Sequence, residues 1–95
     1  MQMVCGTYED QIGQAIAFHF EATRDRKVIP PYSAMGWIKN NKLAGQVIFV
    51  DYTGSNIEGH LNLPGILCRQ VIRDVYKYVF IQSKCNRLTA KLEVT

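Results

Sequence analysis

Glu58 and His60 stand two residues apart in a stretch, Ile57 to Leu63, that alternates apolar and polar residues. On a β-strand this spacing puts a carboxylate and an imidazole on one face together with Asn62, while Ile57, Gly59, Leu61 and Leu63 face the other way. A carboxylate so placed is a candidate general base. Asp51 and Tyr52 close the preceding strand and are expected near Glu58 across the hairpin. Against this stands a plainer reading, a polar and solvated sheet face, which alternation alone explains and which carries more weight. Other chemistry is sparse. The chain has no Ser-His-Asp order, phosphate-binding glycine loop or paired metal-ligand motif. Its three cysteines, Cys5, Cys68 and Cys85, are odd in number and lack C-x-x-C spacing. They read as small, partly buried core residues, reduced in a cytoplasmic protein.

The elements that must position Glu58 and His60 follow from periodicity. Gln46 to Tyr52 is apolar, β-branched and aromatic, which suits a strand. Thr53-Gly54-Ser55-Asn56 supplies turn residues. Pro64-Gly65 breaks the next strand. Ile66 to Lys84 has helical period: Leu67, Val71, Val75 and Tyr78 on one face, flanked by Ile72 and Val79, with Arg69, Arg73 and Lys77 on the other. Of Tyr76 and Tyr78, one is expected in the core and one at the surface. Leu88 to Val94 alternates as a last strand. Strand, helix, strand at this length is a βαβ unit.

Upstream, Met1 to Cys5 reads as a first strand, and Thr7 as the cap of a helix with Asp10 in a capping-box position. Tyr8, Ile12, Ala15, Ile16 and His19 share one face of that helix, so His19 is expected to be a hydrogen-bonded core histidine. Arg24-Asp25-Arg26-Lys27 reads as a solvated charge cluster. Val28 to Pro31 must be extended, because each proline excludes its predecessor from the α region. Tyr32 to Leu63 reads as a three-stranded antiparallel meander with a turn at Asn40-Asn41-Lys42, and Trp37 as a packing residue on the sheet. The order is β-α-β-β-β-α-β, an α/β (α+β) fold with a mixed, mostly antiparallel sheet.

Ninety-five residues with 47% hydrophobic and 20% charged content suit a single domain spanning residues 1–95. No apolar run approaches the roughly 20 residues of a membrane helix, and the start lacks the features of a secretory signal. A formal net charge of +3 with scattered basic residues is too weak a footprint for nucleic-acid binding.

Three segments resemble the GNAT superfamily of acyl-coenzyme A N-acyltransferases, and more closely small GNAT-like proteins of phages and prophages: the hairpin Ala44 to Leu61, the helix Leu67 to Phe80, and the close Ile81 to Thr95 with its Gln-x-x-Cys-x-Arg-x-Thr-Ala run. The resemblance is strongest from Gly45 onward. It implies acetyl-coenzyme A in a splay between the fourth and fifth strands, with Leu61, Asn62 and Leu63 lining it and Arg69 and Gln70 near its phosphates. It implies Glu58 as the base for the attacking amine. Two features depart from the family. Asn62 to Arg69 lacks the family's glycine-rich pyrophosphate loop, and the sequence stops at the fifth strand, where the family's fold continues. The expectation is therefore a truncated GNAT-like domain.

Two functions from different classes follow. The favoured one is a non-catalytic, phage-type protein that binds or inhibits a host macromolecular complex, with a protein as its partner. The other is an acetyl-coenzyme A-dependent N-acetyltransferase, or a subunit of one completed by dimerisation. A homodimer is expected through the last strand, as an open apolar edge.

Overall fold

A computed structural model describes residues 1–92 of the chain, Leu92 by its backbone. The observed order is β1 (Gln2–Thr7), α1 (Gln11–Arg24), β2 (Ser33–Lys39), β3 (Lys42–Val50), β4 (Asn56–Asn62), α2 (Arg69–Tyr76) with a π-helical continuation (Lys77–Gln82), and β5 (Arg87–Leu92). The five strands form one sheet in sequence order. β1 to β4 are antiparallel, and β4 pairs parallel with β5. This is the expected β-α-β-β-β-α-β order. Glu93 and Val94, the end of the expected last strand, lie outside the described residues.

Alternation sorts the sheet into two cores. Met35, Trp37, Val47, Phe49 and Ile57 pack with Val71, Val75 and Val79 of the α2 segment. Their strand neighbours Ala34 and Ile48 pack instead with Ile16, Ala17 and Phe20 of α1. Adjacent strand residues point to opposite faces, so α1 and α2 cover opposite sides of the sheet. Trp37, fully buried, is the packing residue expected. Asn40 and Asn41 both adopt positive φ, 53° and 61°, the conformation a two-residue hairpin with right-handed twist requires.

Both helices begin later than periodicity suggests. α1 starts at Gln11 because Asp10, not Thr7, is its N-cap: Asp10 Oδ1 accepts from the Gly13 N–H at 2.7 Å and Oδ2 from the Thr7 N–H at 2.9 Å. These bonds to the ionised form hold the Asp10 carboxyl below its ordinary value, the Gly13 N–H contributing most. α2 starts at Arg69 rather than Ile66, because Gly65 turns the chain at φ 68° and Cys68 is still extended. Ile66 is instead buried from the loop, over the bare backbone of Gly45. Leu67 and Ile72, expected on or beside the inner face, are exposed.

The wider π-helical turn is closed by the Ser83 N–H on the Tyr78 carbonyl at 2.9 Å. Val79 is fully buried, Tyr78 is half-buried against Phe49 with ring centroids 4.6 Å apart, and Tyr76 is exposed. Arg69, Arg73 and Lys77 are exposed as expected. Cys85 is buried, but Cys5 and Cys68 are exposed, contrary to the core reading; all three are free thiols. Among the described residues no helix is long and apolar enough to cross a membrane.

Candidate functional site

Glu58, His60 and Asn62 lie on the α1 side of β4, opposite Val50, Ile48 and Gln46 of β3. This face is not solvated: His60 and Asn62 are buried and Glu58 is half-buried. Strand alternation alone does not reveal that α1 and the segment after it cover these polar residues. Burial then forces each group to find a partner.

Two networks result. In the first, Glu58 Oε2 meets His60 Nε2 at 2.8 Å and Oε1 meets Lys91 Nζ at 3.2 Å. Lys91 reaches Glu58 because the parallel register sets it beside His60 on β5. The His60 contact chiefly, and Lys91 after it, hold the Glu58 carboxyl below its ordinary value. A recess of about 220 Å³ opens beside the pair, lined by Phe20, Lys27, Val28 and Ile48 among others.

In the second network, the Arg24 guanidinium donates through Nε to Asn62 Oδ1 at 2.9 Å. Asn62 Nδ2 donates to Gln46 Oε1 at 2.6 Å, and Gln46 Nε2 meets His19 Nδ1 at 2.8 Å. His19 is therefore hydrogen-bonded, as expected, but it is an exposed residue rather than a core one. The reading of Arg24 as part of a solvated cluster missed this role. Arg24 and Asn62 are 38 residues apart, and no local pattern links them.

The expected coenzyme residues do not converge. The Asn62 side chain is committed beneath α1. Leu61 and Leu63 pack on the opposite face, against the α2-side core. Arg69 is exposed in the first turn of α2. Gln70 donates to the Met1 carbonyl at 2.7 Å. β4 and β5 remain paired from Asn56↔Arg87 to Leu61↔Leu92 without a register shift, so no splay opens between them among the described residues. Asp51 and Tyr52 fall beyond the end of β3; Tyr52 turns away to donate its hydroxyl to the Ser83 carbonyl at 3.0 Å.

No family model and no curated protein matches the sequence. Among solved structures, the chain is similar to a ribosomal-protein-alanine N-acetyltransferase from Brucella melitensis biovar Abortus 2308, with a TM-score of 0.52 and 16% identity, over 96% of this chain and 80% of that one. At this identity the likeness is one of fold, and the chain has the GNAT-like architecture of that acetyltransferase.

Proposed function

We propose that this chain is a non-catalytic binding protein on an acetyltransferase-type scaffold, acting on a protein partner such as a host complex. The observation that carries this reading is the state of Glu58. Both carboxylate oxygens are engaged by His60 and Lys91, and the lowered affinity for a proton makes it a poor base for an ammonium substrate. The continuous β4–β5 pairing supports the same conclusion.

The partner surface is the outer face of α2. Ile72 and Tyr76, 59% and 56% exposed, run beside Arg69, Arg73 and Lys77, a combination that suits an acidic amphipathic segment. The protein works in the cytoplasm, its thiols reduced, and as a homodimer through β5.

A transferase reading is favoured by the fold of the acetyltransferase neighbour and by the exposed Arg69 at the start of α2. The test is release of free coenzyme A from acetyl-coenzyme A in the presence of peptide and small-amine acceptors, with calorimetric titration of the coenzyme alongside. We expect neither turnover nor saturable binding. Turnover that disappears in Glu58→Gln, with the fold retained, establishes the transferase instead.

A further inference from the structure

One end of the sheet carries a cleft that neither network uses. It has a volume of about 760 Å³ and lies where β1 and β3 end and β2 and β4 begin. Four of the five tyrosines in the chain line it, Tyr8, Tyr32, Tyr52 and Tyr78. Two carboxylates line it as well, Glu9 and Asp51. The chain has 11 Lys and Arg residues and a formal net charge of +3, yet among the described residues none of these cations lines the cleft. Nor does Glu9 or Asp51 have an ion-pair partner among the described residues.

The tyrosines are held by the fold. Tyr8 and Tyr32 stand with ring centroids 6.0 Å apart. Tyr52 is pinned by its hydroxyl to the Ser83 carbonyl, and Tyr78 by its ring against Phe49. Burial, with the charges of Glu21 and Asp10, raises the Tyr32 phenol above its ordinary value, so it remains neutral. Asp51 sits at φ 54° directly after β3, a conformation that costs a non-glycine residue and that aspartate tolerates better than most.

Aromatic rings carry negative potential on their faces and attract organic cations, more strongly where water is excluded. Carboxylates without a cationic partner add long-range attraction of the same sign. The volume falls within the range of small-molecule sites. The geometry points to a binding site for an organic ammonium ion in the cleft between Tyr8, Tyr32, Tyr52 and Tyr78, with Glu9 and Asp51 as its counter-charges. The recognised group is the ammonium itself, whether on a quaternary head or on a primary amine; the cleft chemistry is shared by both, and the assay separates them.

The probes are choline for the quaternary case, cadaverine for the primary amine, and 3,3-dimethylbutanol as the uncharged isostere of choline. Each is titrated into the full chain, followed by amide chemical shifts. We expect saturable shifts confined to Thr7–Glu9, Asp51–Tyr52 and Ser83 with at least one cation and none with the alcohol. The tighter cation identifies the head group. Asp51→Asn preserves tolerance of the left-handed backbone and removes the charge; combined with Glu9→Gln it weakens binding by roughly tenfold. Tyr52→Leu weakens it with both charges in place. Circular dichroism and the amide spectrum confirm that each variant is folded. Absence of saturable shifts with both cations overturns the proposal, as does equal binding of the alcohol, or affinity unchanged in the folded charge-neutralised variant.

Discussion

The indole N–H of Trp37 donates to Asp74 Oδ2 at 2.9 Å, linking β2 to the second turn of α2. Trp37 is otherwise enclosed by the α2-side core, at 0% exposure. A hydrogen bond to a charged acceptor in such a setting contributes about 1.5–3 kcal/mol. Trp37→Phe keeps most of the ring and leaves Asp74 without this donor. We expect a loss of about that size in urea denaturation, with an unchanged fold by circular dichroism; a stability equal to the parent chain would mean that water replaces the indole at no cost.

Gly13 sits inside α1, where alanine normally gains about 0.8–1 kcal/mol of helix propensity. Here a Cβ at that position would overlap the Thr7 carbonyl and the Thr7 backbone nitrogen. α1 lies this close to the end of β1 because Asp10 binds the N–H groups of both Thr7 and Gly13. Gly13→Ala is therefore expected to lower the melting temperature, the reverse of the propensity rule. A rise in melting temperature would show that the Thr7 backbone can yield.

Glu58 should give the protein an acid-sensitive limb. Its folded proton affinity lies below the ordinary value of 4.5, through His60 first and Lys91 second. A group depressed in the folded state stabilises it at pH values above the unfolded value, and that contribution disappears as pH falls through the folded value. Stability should therefore decline as pH drops below about 4.5. Glu58→Gln should flatten this decline while lowering stability at neutral pH. An unchanged pH profile in Glu58→Gln would assign the acid limb to other carboxylates, Asp10 first among them.

Among the described residues β5 pairs with β4 alone, so its second edge faces outward. Unpaired backbone groups along an edge invite another strand, and a twofold pairing is the simplest closed arrangement. Sedimentation velocity at micromolar concentration is expected to give a dimer. A single monomeric species across that range would refute the assembly.

Much of this protein was determined by local sequence. Alternation in Tyr32 to Leu63, the Asn40-Asn41 turn and the period through Val71 and Val75 are short-range signals, and they suffice for the order of elements and for the meander. They also placed Glu58, His60 and Asn62 on one face, because strand geometry admits no other outcome. Helix starts were read less well, since caps and left-handed turns compete with periodicity within a few residues. Asp10 out-competes Thr7 as a cap by bonding two N–H groups, and Gly65 delays α2 until Arg69.

Only tertiary structure decided what the polar face of β4 does. Whether it meets water or the underside of α1 depends on how the helix crosses the sheet, which no residue in β4 encodes. The bonds from Arg24 to Asn62 and from Lys91 to Glu58 depend on chain crossing and parallel register, both long-range. The cleft of Tyr8, Tyr32, Tyr52 and Tyr78 has the same origin. Its residues come from four separate parts of the chain, and only the shared end of a five-stranded sheet brings them together.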